Sequence, residues 1–143
     1  MKRRSFIKRS CLLCAGLTAG ASVLTLLEGC ATAKVQKVAV VNKRINIDAT
    51  LCNELQKVLV LRTDDLEYDV LLYYVSNANY SAVLLKCTHY DNPVFVNNKE
   101  VFCPSHGSKF DYTGKVLTEP ATQSLKAFKT SLVNNTISID IQP

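Results

Sequence analysis

The chain of 143 residues contains only two histidines, and each follows a cysteine within three residues. The first pair lies in Cys87-Thr88-His89 and the second in Cys103-Pro104-Ser105-His106. Thiolates and neutral imidazoles are ligands that proteins use for zinc and for iron–sulfur centres. Structural zinc sites usually take chelating pairs of like residues, spaced C-x2–4-C and H-x3–5-H. Here each pair is mixed, so two loops can bring the thiolates to one metal ion and the imidazoles to another.

This pattern resembles the Rieske iron–sulfur family, which has C-x-H followed later by C-x-x-H-G. The resemblance implies one [2Fe–2S] cluster per chain, in which two histidines replace two cysteines on one iron. It assigns the thiolates of Cys87 and Cys103 to the buried iron, and the imidazoles of His89 and His106 to the outer, reducible iron. Ser108 matches a family serine that donates a hydrogen bond to a bridging sulfide. A zinc-stabilised surface binding module is the alternative for the same four ligands.

The chain departs from the high-potential branch of that family at positions around the ligands. Asn92 and Ser105 stand where that branch has two cysteines joined in a disulfide, so both halves of the bridge are missing. Phe110 stands where a tyrosine hydroxyl bonds a ligand sulfur, and Tyr90 replaces a leucine. Rieske potentials range from about −150 to +300 mV. With one hydrogen-bond donor kept and one lost, we expect a potential in the lower or middle part of that range.

The residues after position 34 alternate apolar and polar side chains in short runs, which predicts an all-β fold. We predict strands at 35–41, 45–47, 58–62, 70–75, 82–85, 125–132 and 136–141, and a hairpin joining 94–96 to 101–102 through Asn97-Asn98. Residues 49–57 could hold a turn or two of helix, and Thr113-Gly114 marks another turn. The pattern predicts an antiparallel β-sandwich over residues 35–143. The Rieske resemblance adds a cluster-binding loop subdomain at one end.

Residues 1–29 have the pattern of an export signal rather than of folded structure. The run Lys2-Arg3-Arg4-Ser5-Phe6-Ile7-Lys8 resembles a twin-arginine signal, and an apolar stretch, 11–27, follows it. Leu27-Glu28-Gly29-Cys30 resembles a lipobox, although Glu28 is unusual there. We therefore expect a lipid on Cys30, a short tether at 30–34 and a location on the periplasmic face of the membrane. An uncleaved anchor and simple cleavage are the alternatives, and both also place the domain outside the cytoplasm.

The charge of the chain excludes one class of partner, and its cysteine content leaves one cysteine without a role. Residues 1–29 hold five of the 17 basic residues and one of the 12 acidic residues, so the rest of the chain has a net charge of +1. A nearly neutral domain lacks the basic surface that nucleic-acid binding requires, which excludes that partner class. Cys11 and Cys14 lie in the apolar part of the signal. Cys52 is then the one cysteine without a role, and we expect it to be buried and inert.

These observations predict an electron-transfer protein rather than an enzyme on its own. The expected role is a lipid-anchored carrier, or the small subunit of a periplasmic oxidoreductase, that meets a redox partner or membrane complex through its histidine tip. The alternative is the Rieske subunit of a quinol-oxidising cytochrome bc-type complex, which the missing disulfide, Phe110 and Tyr90 disfavour. A Rieske oxygenase is excluded because its additional iron needs two histidines and a carboxylate, and no histidine remains.

Overall fold

Alternating burial along the last strand shows how the sequence produces the sheet. In Thr136–Asp140 the side chains of Ile137 and Ile139 are fully buried, while their neighbours are partly exposed. This period of two is the one that strand geometry imposes. The protein is described by a computed structural model over residues 33–142. The predicted signal at 1–29, Cys30 and the first part of the tether lie outside the described residues.

The described chain forms twelve strands and one short 3-10 helix, which confirms the all-β prediction. The strands are β1 (Lys34–Lys37), β2 (Val40–Val41), β3 (Arg44–Asp48), β4 (Val58–Arg62), β5 (Val70–Ser76), β6 (Asn79–Leu84), β7 (Phe95–Val96), β8 (Val101–Phe102), β9 (Lys109–Phe110), β10 (Val116–Thr118), β11 (Ala127–Val133) and β12 (Thr136–Asp140). Where a turn or two of helix was expected at 49–57, a single 3-10 turn at Ala49–Leu51 forms, and the Asp48 carboxylate accepts a hydrogen bond from its Thr50 N–H. Within residues 33–142, no helix is long and apolar enough to cross a membrane.

Eight strands form the main sheet, in the order β1-β4-β5-β6-β11-β12-β3-β2. The predicted strand at 35–41 is divided, because β1 pairs with β4 at one edge of this sheet and β2 pairs with β3 at the other. The chain between them, Val38 and Ala39, therefore joins the two edges, so the sheet must curl around its core. The β1–β4 pair is parallel, unlike the other strand pairs of the described residues, and so departs from the antiparallel prediction.

A smaller sheet, in the order β10-β9-β8-β7, forms the cluster subdomain at residues 87–121 together with its loops. Its first hairpin lies where the sequence predicts it, with Phe95 opposite Phe102. The turn is made by a side chain rather than by a left-handed backbone, since Asn97 Oδ1 accepts hydrogen bonds from the N–H groups of Lys99 and Glu100. The two-residue turns of the main sheet do use positive φ, for example at Asn134 and Asn135.

Two apolar cores stabilise these sheets. One lies inside the curled main sheet and includes Ile45, Leu61 and Ile137. The second lies between the main sheet and the cluster subdomain, where Leu71 packs in the same cluster as Cys87. The second core fixes the base of the cysteine-bearing loops against the larger sheet, because close-packed side chains leave little freedom to shift.

Gly114 is the glycine of the described chain whose replacement should most disturb this second core. It has φ +88, and an added Cβ would lie 3.1 Å from both Leu125 Cβ and Val83 Cγ1. We expect Gly114→Ala to lower the free energy of unfolding by about 2–5 kcal/mol, because a left-handed conformation costs about 1–2 kcal/mol and overpacking costs about 1–3 kcal/mol. The urea midpoint of the oxidised protein measures this loss.

Gly107 provides the matched control, because it has φ +83 but no atom within 4 Å of an added Cβ. Gly107→Ala should therefore show only the conformational cost, about 1–2 kcal/mol. Equal losses at the two positions would contradict the packing role of Gly114.

Candidate metal centre

The two cysteine-histidine segments fold into loops that are closed by the same pair of backbone hydrogen bonds. In ligand loop 1, residues 87–92, the Cys87 N–H donates to Asn92 O at 2.8 Å and the Asp91 N–H donates to Cys87 O at 2.9 Å. Ligand loop 2, residues 103–108, repeats both bonds, at 2.8 Å between Cys103 N and Ser108 O and at 3.0 Å between Gly107 N and Cys103 O. Each loop thus places its cysteine at the base.

The fifth residue of each loop has a left-handed backbone, which is what turns the chain back to its base. Asp91 has φ 53 and Gly107 has φ 83. Glycine adopts this region at no steric cost, and aspartate is among the residues that tolerate it. We did not predict the equivalence of Asp91 and Gly107 from the sequence, although the sequence contains a signal for it. A residue that tolerates positive φ stands four positions after each ligand cysteine.

The two thiols meet in the interior. Cys87 is 1% exposed and Cys103 is 2% exposed, and both belong to the second apolar core. Burial alone would raise the pKa of the Cys103 thiol. Its pKa is nevertheless lowered, because the backbone N–H groups of Ser105 and His106, the Cys87 thiol and the Ser105 hydroxyl bond its sulfur. This environment favours the thiolate, which is the form that binds metal.

The two imidazoles meet near the surface. The rings of His89 and His106 have centroids 5.0 Å apart and are nearly perpendicular, at 88°. His106 is exposed, whereas His89 is half-buried and its Nδ1 atom is buried without a hydrogen-bond partner. A buried nitrogen without a partner is unfavourable unless it meets a ligand. Metal coordination would satisfy this nitrogen.

The donor set therefore fits a two-iron centre better than a single ion. The thiols form one pair inside the domain and the imidazoles form another at its surface. A Rieske centre distributes two thiolates and two imidazoles over different irons.

Ser108 is the last residue of ligand loop 2 and is fully buried. Its Oγ accepts a hydrogen bond from the Ala121 N–H at 3.0 Å. Because that bond uses an oxygen lone pair, the hydroxyl hydrogen remains free to donate. Phe110 is also fully buried and packs in the apolar cluster that contains both ligand cysteines. It provides no hydroxyl at this position.

Ligand loop 1 is held from outside by residues that the sequence did not single out. The Tyr68 hydroxyl donates to Asp91 O at 2.7 Å, and Lys86 Nζ lies 3.2 Å from the Asp91 carboxylate. The Thr88 hydroxyl donates to Gln123 O at 2.6 Å, in the segment that follows Pro120. Tyr68 is 23 positions from Asp91 along the chain, so no local sequence signal predicts the contact.

The histidine tip is capped by an aromatic ring and contains no disulfide. Tyr90 is 70% exposed, and its ring centroid lies 4.8 Å from that of His89 and 5.8 Å from that of His106. Asn92 and Ser105 occupy the two loops without a covalent link between them. The cysteines of the described residues are all free.

Cys52 is buried away from the site, as expected. Its Sγ lies 3.6 Å from Lys57 O, and burial raises the pKa of the thiol to about 11. A thiol with so high a pKa is protonated at neutral pH and reacts poorly. The proposed lipid-bearing Cys30 lies outside the described residues.

Comparison with known proteins identifies the family. The model of the Rieske [2Fe-2S] domain matches residues 34–129. The ferredoxin component of the naphthalene 1,2-dioxygenase system of Pseudomonas putida is 33% identical over 96 residues, which cover 57% of this chain and 91% of that protein.

Solved structures agree with this similarity. The cyanobacterial plasma membrane Rieske protein of Synechocystis PCC 6803 has a TM-score of 0.52 and 32% identity, covering 64% of this chain and 91% of that one. A chain of a hyperthermophilic respiratory complex III shares the fold, with a TM-score of 0.50 at 15% identity over 94% of this chain and 91% of that one. The matched residues contain both ligand loops and the second apolar core, so the chain belongs to the Rieske [2Fe-2S] family and is an electron-transfer domain that binds a [2Fe–2S] cluster.

Proposed function

We propose that Cys87 and Cys103 bind the inner iron of the cluster and that His89 and His106 bind the outer iron. The observation that carries this assignment is the buried, unpartnered Nδ1 of His89, close to the ring of His106. The near-complete burial of both thiols supports placing the pair of thiolates on the inner iron. The family match leaves the zinc-stabilised module without support.

The bound cluster accepts and donates one electron at a time, and neutral imidazoles raise its potential relative to four thiolates. The protein surrounds the thiols with the second apolar core, which excludes water from that side. On the other side, His106 is exposed beside Tyr90. A redox partner that docks on this tip approaches the outer iron through the imidazoles.

The domain acts, in this proposal, as an exported single-electron carrier. Residues 1–29 direct export by the twin-arginine route, Cys30 carries a lipid, residues 30–34 form a tether, and residues 35–143 form the Rieske domain on the periplasmic side. That route exports folded proteins, which suits a domain whose cluster is inserted in the cytoplasm. The carrier works alone or as the small subunit of a periplasmic oxidoreductase, with a redox protein or a membrane complex as partner.

A second candidate is the Rieske subunit of a quinol-oxidising complex, which the similarity to a plasma membrane Rieske protein favours. The unlinked Asn92 and Ser105 and the absence of a hydroxyl at Phe110 argue against it, because these features lower the expected potential. Similarity to an oxygenase ferredoxin supports electron carriage, but the export signal separates this chain from a cytoplasmic oxygenase.

We expect the purified protein to hold two irons and two inorganic sulfides, as a [2Fe–2S] centre requires. His89→Ala and His106→Ala should each abolish the EPR signal of the reduced cluster, which has the low average g value of mixed histidine and cysteine ligation. Cys87→Ala should also abolish the signal, and Cys52→Ala is its matched control. It should keep the signal, since Cys52 lies in the other core. A colourless protein with bound zinc, or equal loss in Cys52→Ala, would refute the ligand assignment.

The hydrogen bonds to sulfur should set the potential within the Rieske range. We expect Ser108→Ala to lower the midpoint potential and Phe110→Tyr to raise it, because a hydroxyl donor stabilises the added negative charge. Each shift should be tens of millivolts and at most about 130 mV, since such a bond contributes at most about 3 kcal/mol and 59 mV corresponds to about 1.4 kcal/mol for one electron. Protein-film voltammetry of the purified variants measures these shifts.

Phe102→Tyr is the control for the added hydroxyl, because Phe102 packs on Phe95 in the same subdomain, with ring centroids 6.1 Å apart. It should leave the potential unchanged. A wild-type midpoint near +300 mV, or equal responses to Phe110→Tyr and Phe102→Tyr, would contradict the role of these two positions.

The lipobox makes a separate prediction about attachment. Cys30→Ala should abolish fatty-acid labelling of the protein, and replacing Arg3 and Arg4 by lysine should retain the precursor in the cytoplasm. Cys14→Ala is the control, because Cys14 lies inside the apolar part of the signal. Labelling that persists in Cys30→Ala, or a mature N-terminus upstream of residue 30, would exclude the lipoprotein form.

A further inference from the structure

The described chain begins at Ala33, in the cleft between the main sheet and the cluster subdomain. Ala33 lines two adjoining hollows of this cleft, and both hollows also contain Asn97. One hollow is walled by Val35 and Phe95, and the other by Leu55. We call this region the tether face and define it by Ala33, Lys34, Val35, Leu55, Lys57, Phe95 and Lys99.

Large apolar side chains on the tether face are unusually exposed. Leu55 is 98% exposed, Phe95 is 51% exposed and Val35 is 50% exposed. Single exposed apolar residues are common on proteins, but a group of them around one point marks an interaction surface. The three side chains lie around the position at which the chain leaves for its proposed lipid anchor.

The charged residues on the tether face are mainly basic. Lys34 and Lys57 line the same hollow as Leu55, and Lys99 is exposed in the turn at Asn97. Within residues 33–142 these three lysines form no ion pair. Of the acidic residues nearby, Glu100 is paired with Lys109 at 2.6 Å and Asp69 with Arg62 at 2.7 Å, which leaves Glu54 and Glu67 against the three lysines. The net charge of the face is therefore positive.

The hollow of Val35 and Phe95 extends to Tyr68, which bonds ligand loop 1, whereas the Leu55 end of the tether face lies away from the histidine tip. In the cluster subdomain, the chain runs from Asn92 of ligand loop 1 through β7 to Asn97 on the tether face. Five residues of extended chain cover about 17 Å. The strand register of the main sheet also separates Lys34 from ligand loop 1. Lys34 pairs with Leu59 near the start of β4, whereas ligand loop 1 follows Leu84 at the far end of β6.

We propose that the tether face rests on an anionic lipid bilayer and that the histidine tip points away from it. This inference depends on the proposed attachment at Cys30, because the three residue-to-residue steps from Cys30 to Ala33 reach only about 10 Å. So short a connection holds the tether face at the headgroups. Exposed apolar side chains then enter the interface, and lysines are attracted to anionic lipids. The tip is left free for a water-soluble redox protein.

The chain contains no tryptophan, so an introduced tryptophan reports on one position alone. The lipid-anchored protein is reconstituted into vesicles of phosphatidylethanolamine and phosphatidylglycerol, with or without bromine on the acyl chains. Bromine quenches tryptophan emission on contact. Phe95→Trp and Leu55→Trp should lose emission in brominated vesicles. Leu117→Trp is the matched control, because Leu117 is 54% exposed on β10, at the opposite edge of the smaller sheet from Phe95 on β7, and its emission should be unchanged.

The attraction between the lysines of the tether face and anionic lipid is tested in the same vesicles. Omitting phosphatidylglycerol, or replacing Lys34, Lys57 and Lys99 together by glutamine, should weaken the quenching of Phe95→Trp. Equal emission of Phe95→Trp and Leu117→Trp in protein that carries its fatty acid would overturn the inference and leave the proposed function intact. Absence of fatty acid from the same samples would instead refute the proposed attachment and the inference with it.

Discussion

The backbone closure of the two ligand loops is the constraint on which the rest of this site depends. Each loop returns to its own cysteine through a left-handed residue, Asp91 in one and Gly107 in the other. The closure buries the thiols in the second apolar core and leaves the imidazoles outside. In the proposed ligand assignment, this separation would give the two irons unequal surroundings, with the imidazoles on the side that a redox partner reaches.

Without a disulfide, the loops depend on a third segment for their relative position. Ser108 of ligand loop 2 accepts a hydrogen bond from Ala121, and Thr88 of ligand loop 1 donates one to Gln123. The segment 119–123 therefore bonds both loops, while Tyr68 holds ligand loop 1 from the other side. Polar contacts of this kind can replace a covalent link where the surrounding core is already rigid.

Sequence reasoning succeeded where a residue type has one strong physical preference. The mixed cysteine-histidine spacing predicted a [2Fe–2S] cluster, which the family match confirms, and the alternation of Thr136–Asp140 predicted a half-buried strand. It failed where the position of a strand or side chain depends on a partner that is distant in the sequence. The apolar run at 35–41 contains no signal that its first half pairs in parallel with β4, or that its second half pairs with β3. The contact of Tyr68 with Asp91 and the ring of Tyr90 over the histidines are likewise visible only after the chain has folded.

The central claim, that both histidines bind one iron of a buried-thiolate cluster, is tested most directly by isotope labelling. Because the chain has only two histidines, growth on ¹⁵N-histidine labels only those two side chains. Electron–nuclear double resonance of the reduced wild-type protein should then show coupling to two histidine nitrogens. A reduced cluster without ¹⁵N coupling, or with coupling to a single histidine, would contradict the assignment.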